Sequence, residues 1–331
     1  MISIPFIITV LTLSVVVAMA CLALNVEAGW GGMWDLGVAG HLAFGAYAYA
    51  LLTGAPDSGV PGLGLPILAG MLGAGLLTGL AAVVIGWPTL RLRGEYFLIT
   101  TFGFAEIIRQ MVVIQRDHTG GTFGITAIKK PFADQITFQA YPYALLAVIV
   151  AMTAFLAWMC HRIAASSFGL TLRAARDNEP LAMAMGKGVA RMRLATYAFV
   201  GVTCGLLVAP AYTWFLGALV PSIFTSHLTF IVWTALVIGG LGSRWGGVIG
   251  AAVLIMVSEF VRLIPVEPEN AQRLAAVQPL LVGVLLIALL RWRPAGLMSE
   301  RSSFRRIRRR GTPNRNPNRQ QGPQLVDARG A

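Results

Sequence analysis

Long apolar runs separated by short polar breaks set the pattern of this chain. A helix needs about 20 mostly apolar residues to cross a hydrocarbon core of about 30 Å. That template is met over Met1–Leu24, Leu36–Gly54, Leu65–Trp87, Glu95–Ile114, Tyr141–Cys160, Leu194–Phe215, Ser222–Leu241, Gly246–Ile264 and Leu274–Leu290. The pattern predicts an all-α, polytopic transmembrane bundle of about nine spans, with about eight to ten as the range. The range is open because GGLGSRWGG at 239–247 reads either as a turn or as a break between half-helices. One long polar interruption stands out, SFGLTLRAARDNEPLAMAMGKGVARMR from Ser167 to Arg193. Within it Asp177 and Asn178 suit a helix cap, Pro180 suits a first turn, and LAMAMG runs as a short helix to a stop at Gly186.

Charge orients the runs. Arg91 and Arg93 fall in the short break before the fourth run. Arg162, Arg173, Arg176, Lys187, Arg191 and Arg193 outnumber Asp177 and Glu179 between 161 and 193. By the excess of Lys and Arg in cytoplasmic loops, both breaks lie inside, as do the linker near Arg244 and the C-terminal tail; Glu267 and Glu269 lie outside. The Gly- and Thr-rich stretch from Gln115 to Ala140 alternates to the outside, with Lys129 and Lys130 as an exception to the charge rule. The N-terminus is expected outside. No Lys or Arg precedes Cys21, so the first run reads as an uncleaved span rather than a leader.

Within the runs, GHLAFGAYAYA at 40–50 and the Gly75-Leu-Leu-Thr-Gly79 pair put small residues where helix backbones approach closely. The fourth run carries Glu106 and Arg109 at depth, three residues apart on one helical face. Two readings stay open for them, lining of a pathway or mutual neutralisation.

Composition agrees with a membrane protein: 56% of the 331 residues are hydrophobic and 12% charged. The net charge of +12 is concentrated at the end, where eleven arginines follow position 290. Beside membrane spans, such a tail reads as a cytoplasmic end near anionic lipid rather than as a nucleic-acid site. Residues 1–298 are expected to form the transmembrane domain and 299–331 an arginine-rich, disordered tail. Cys21, Cys160 and Cys204 have no paired spacing. His41, His118, His161 and His227 lack metal-ligand spacing, and His41 reads as a packed, hydrogen-bonded residue. Gly186-Lys187-Gly188 lacks the upstream Gly and the hydroxyl of a phosphate loop, and no Gly-x-Ser-x-Gly occurs. The chain is therefore not expected to be an enzyme, nor to bind a metal or cofactor itself.

Glu179-Pro-Leu-Ala182-Met-Ala-Met-Gly186 resembles the EAA loop of ABC importer permeases, with matches at Glu179, Ala182 and Gly186 and a departure at Pro180. Further stretches are similar to the LivM-type branched-chain amino acid permeases: GHLAFGAYAYA, LRLRGEYFLITTFGFAEIIR, TGGTFGI, FGLTLRAARDNE, GGLGSRWGGVIGAA and RWRPAGL, in order from about Gly37 to Met298. The resemblance implies one permease subunit of an ATP-driven importer in a bacterial inner membrane. Its partners would be a second, LivH-type permease, two cytoplasmic ATPases carrying ATP and Mg²⁺, and an extracytoplasmic substrate-binding protein. It also implies that Glu179, Ala182 and Gly186 form the ATPase-coupling helix, with Glu179 facing a basic residue of the ATPase. Branched-chain amino acids are the implied cargo, a reading to which Glu95 adds; relatives carry urea, short amides or aromatic acids. Phe97, Thr100, Thr101, Glu106 and Arg109 are the candidate pathway residues. A stand-alone secondary transporter is the competing class, and a membrane-embedded enzyme the third.

Overall fold

The computed structural model describes residues 4–55, 60–92, 94–126, 128–133, 135–262, 279–280, 282–284, 286–293 and 295–298. Arg93, the acidic 267–269 stretch and the arginine-rich tail from 299 lie outside the described residues. So do the predicted loop before the last span and the start of that span.

Among the described residues up to 262 the α-helices follow in the order α1 (Ile4–Leu24), α2 (Val38–Thr53), α3 (Ile67–Thr89), α4 (Glu95–Ile114), α5 (Arg116–Thr119), α6 (Tyr141–Ala165), α7 (Ser167–Asp177), α8 (Glu179–Ala184), α9 (Val189–Thr203), α10 (Ala209–Leu216), α11 (Ser226–Gly239) and α12 (Gly246–Arg262). α1 continues as a π-helical turn over Asn25–Trp30, and α9 continues into α10 through another over Cys204–Val208. Among the described residues, six continuous helical segments are long and apolar enough to cross a membrane. Val38–Thr53, Gly246–Phe260 and Val282–Trp292 are shorter apolar helices in the expected order. Among the described residues there is no strand, only a single antiparallel bridge between Ile125 and Leu219. The protein is an all-α, multi-pass helical bundle.

Small residues decide which helices touch. A Cβ on Gly79 would collide with Val202, one on Gly201 with Ala82, and one on Gly205 with Thr78 Oγ1. The Gly75/Gly79 pair is thus the face on which α3 packs against α9 and the π-turn after it. Leu68, Leu72, Leu76, Leu80 and Val84, four residues apart along α3, are exposed, an apolar outer stripe suited to hydrocarbon. α2 is the buried helix that its small residues predict, with Gly40 against Ala105 of α4 and Gly45 against Gly205.

The 239–247 stretch is a turn, not a break. α11 ends at Gly239, Gly240 and Gly242 take φ values of 108° and 76°, and α12 starts at Gly246 and packs back on α11. Discontinuity lies elsewhere. After the π-turn, residues 31–37 leave helical geometry before α2 begins, with Met33 and Asp35 buried and Trp34 half-exposed.

Candidate functional site: the polar loop and the broken first segment

The interruption from Ser167 folds into two helices set at an angle by one residue. α7 starts on Ser166, whose Oγ accepts from Gly169 N at 3.3 Å, and it buries Gly169, Leu172 and Ala175. The polar average of this stretch predicts only a loop; the signal for a helix is its apolar spacing, Gly169-Leu172-Ala175, at helical period. Asn178 takes an extended conformation and its Oδ1 accepts from Leu181 N at 3.0 Å, so Asn178 rather than Asp177 caps α8. Pro180 sits in the first turn, where its missing N–H costs no hydrogen bond. At the other end Lys187 N donates to Ala182 O at 3.1 Å and Gly186 adopts φ 75°, a left-handed stop.

These caps fix what α8 presents. Ala182 is buried with Ala175 and Val189, whereas Leu181, Met183 and Met185 are 59%, 54% and 73% exposed. Glu179 is engaged within the chain: Arg193 Nη1 and Nη2 donate to its two carboxylate oxygens at 3.0 and 2.9 Å. This two-pronged pair ties the start of α8 to α9. Beside it opens a cavity of about 590 Å³, walled by 32–34, 90–92, Gly94, Phe97, Glu179, Pro180, Met183 and Arg193.

The second feature is the segment 25–37. Asn25 bridges it to the α11–α12 turn, with Nδ2 donating to Ser243 O and Oδ1 accepting from Gly242 N, both at 2.8 Å. Trp30 Nε1 donates to Gly242 O at 3.0 Å. Trp233 Nε1 donates to Asp35 O at 2.7 Å, Gly37 N donates to Asp35 Oδ1 at 2.7 Å, and Trp34 stacks on Trp233. Glu27 and Asp35 are wholly buried. Neither carboxylate oxygen of Glu27 has a hydrogen-bond partner among the described residues. His41 lies 3.9 Å from Asp35 Oδ2 and against the ring of Tyr197. It is packed as expected but, among the described residues, neither ring nitrogen is hydrogen-bonded, a correction to the sequence reading. Nothing in the sequence marked Asn25, Glu27 or Asp35, because polar residues between two apolar runs read as a solvent loop.

α4 divides the candidate pathway residues. Phe97 and Thr101 face inward: Phe97 packs edge-on to Tyr197, and Thr101 Oγ1 accepts from Leu36 N at 3.2 Å. Both therefore adjoin the broken segment. Thr100 bonds only its own helix, to Tyr96 O. Glu106 and Arg109 lie away from Phe97 and Thr101, on the outer side, partly exposed. Arg109 Nε donates to both carboxylate oxygens of Glu106 at 3.0 and 2.9 Å, and Gln110 adds a third donor at 3.2 Å.

The profile of the family described as "Branched-chain amino acid transport system / permease component" matches residues 6–290. The "High-affinity branched-chain amino acid transport system permease protein LivM" of Escherichia coli (strain K12) is 29% identical across 87% of this chain and 68% of its own length. The "Probable branched-chain amino acid transport permease protein LivM" of Methanocaldococcus jannaschii is 25% identical across 85% of this chain and 89% of its own. No solved structure matches the chain.

Proposed function

The chain belongs to the branched-chain amino acid transport permease family, and from that premise we propose that it is the LivM-type subunit of an ATP-driven importer of branched-chain amino acids, with α8 docked on a cytoplasmic ATPase. The observation that carries the reading is the presentation of α8. A six-residue helix capped at both ends and clamped by Glu179 and Arg193 holds Leu181, Met183 and Met185 out of the fold. A helix of six residues is not stable alone, and three exposed apolar side chains on it gain from burial in a partner's groove at roughly 25 cal/mol per Å². The sequence has no phosphate loop, so ATP and Mg²⁺ belong to that partner, and the side of the membrane carrying α8 and the C-terminus is then the cytoplasm. Co-purification in mild detergent is the test: the chain is expected to bring down two ATPases and a second permease with vanadate-sensitive hydrolysis. Leucine transport by the chain reconstituted alone would sink the reading.

The Glu106–Arg109 pair extends it. A charged group facing hydrocarbon at mid-helix costs about 2.5–3.5 kcal/mol on insertion scales, and pairing leaves the pair's outer side still to be solvated. Protein or water, not lipid, therefore suits this face of α4, and the second, LivH-type permease subunit is the partner proposed to cover it, with the pathway between them. Glu106→Gln and Arg109→Gln, each inserted normally, are expected to lower uptake of leucine by about tenfold, while Thr100→Ala has little effect. Unchanged uptake in both Gln variants would leave the pair as an internal neutralisation only.

A further inference from the structure

One tie to the broken segment comes from the polar loop rather than from the bundle. Arg176, in the last turn of α7, donates from Nη1 to Gly29 O in the π-turn, 147 residues away in sequence. Its side-chain stem fills the space beside Gly32, where a Cβ would lie 2.6 Å from Arg176 Cγ, and Gly32 itself holds φ 65°. On its other side Arg176 Nε donates to Asp177 Oδ1 at 3.0 Å, and Asp177 immediately precedes Asn178, the cap of α8. One guanidinium thus joins the start of α8 to the point where α1 loses helical geometry.

Carbonyls at the end of a helix lack partners in the helix and must find them elsewhere. For Gly29 O the partner is a charged donor, and charge-assisted bonds are about twice as strong as neutral ones. The residues that follow, 31–37, have no helix ladder to hold them. Met33 N donates to Glu27 O, Leu36 N to Thr101 Oγ1, Trp233 Nε1 to Asp35 O and Thr229 Oγ1 to Leu36 O, while Asn25, Trp30 and Arg176 hold the π-turn from which these residues run. Of these ties, that of Arg176 comes from α7, next to α8, and the others come from the bundle.

We infer that Arg176 is a positioning residue for transport, passing displacement of α8 to segment 25–37 and so to Asp35, to Thr101 on α4 and to the Gly242 turn. This rests on the docking role proposed for α8. Arg176→Lys keeps the charge but not the planar fork that serves Gly29 O and Asp177 together, and Asp177→Asn keeps the size but releases the charge pair.

The test uses the assembled transporter in proteoliposomes, with leucine uptake and ATP hydrolysis measured on Arg176→Gln, Arg176→Lys and Asp177→Asn beside Gly186→Val as reference. Arg176→Gln is expected to lower uptake by about tenfold while hydrolysis persists, so that leucine moved per ATP falls. Arg176→Lys should fall between it and the parent, and Asp177→Asn should shift in the same direction by less. Uptake and hydrolysis declining in one proportion would make Arg176 merely structural and overturn the inference, as would unchanged coupling in all three variants. Should Arg176→Gln fail to assemble, the same two criteria apply to Arg176→Lys and Asp177→Asn. Uncoupling by Gly186→Val alone would overturn the role of Arg176 and leave the docking role standing. Normal coupling in Gly186→Val would remove the docking role itself.

Discussion

Gly186→Val is expected to leave the permease inserted and its helical bundle intact, while leucine uptake is lost and ATP hydrolysis by the assembled complex continues. The reason is conformational. Nothing lies within 4 Å of a Cβ built on Gly186, so space is available, but the residue holds φ 75°. An L-residue there costs roughly 1–2 kcal/mol, most for a β-branched one. That strain falls on the turn whose Lys187 N–H closes α8 onto Ala182 O. α8 has six residues and little cooperativity to absorb it. Gly186→Asp, whose side chain tolerates the left-handed region better, should give the same phenotype more weakly. Glu179→Lys attacks the other end: it exchanges a two-pronged pair with Arg193 for like charges at the same spot, and it puts a cation at the positive end of α8. The pair is partly solvent-exposed and is worth only about 0.2–1 kcal/mol to global stability, so melting should change little while docking fails. Uptake, vanadate-sensitive hydrolysis and ATPase retention measured together decide the matter; normal uptake in Gly186→Val would end the docking role, and normal uptake in Glu179→Lys alone would remove only the Glu179–Arg193 pair from it.

The same loop shows what a one-dimensional reading can and cannot reach. The α8 boundary was legible because its determinants are local: an Asn cap, a first-turn Pro, a terminal Gly. The fourth apolar run coincides with α4, Glu95–Ile114, since hydropathy alone sets a membrane helix. α7 was missed because SFGLTLRAARD averages to polar while its buried face rests on three small or apolar positions. Long-range pairs were out of reach. Arg193 with Glu179 is 14 residues apart and Arg176 with Gly29 is 147. The clearest failure is 25–37, where NVEAGWGGMWDLG has the composition of a solvent turn. Only the surrounding α4, α9 and α11 and the turn at Gly242 and Ser243 reveal that its carboxylates are inside. At 239–247 the residue types, Gly with a lone Arg, suit a turn or a break alike, and only the packing of α11 and α12 directly on each other selects the turn.

Glu27→Gln is expected to separate stability from transport. Glu27 is fully buried in the π-turn, and neither of its carboxylate oxygens meets a donor among the described residues. An ionisable side chain buried without partners opposes the fold that buries it, by several kcal/mol if charged. An amide of the same shape lowers that cost, so the thermal stability of the assembled transporter should stay level or rise by about 1 kcal/mol. Uptake should nevertheless fall. Glu27 stands in the π-turn just before residues 31–37, which leave helical geometry. Any rearrangement that lets water reach it hydrates the carboxylate and is favoured by Glu27 relative to the packed arrangement. Removing the carboxylate therefore shifts the balance toward the packed arrangement, slowing the cycle without unfolding the protein. Asp35 is equally buried, but its Oδ1 accepts from Gly37 N and its Oδ2, without a hydrogen-bond partner among the described residues, lies 3.9 Å from His41 Nδ1; Asp35→Asn removes the charge beside His41 and should cost stability where Glu27→Gln does not. Thermal unfolding and leucine uptake measured on both variants test the contrast. A lowered melting point for Glu27→Gln would mean that its oxygens hold the core together, and unchanged uptake would mean that the strain they create is not used.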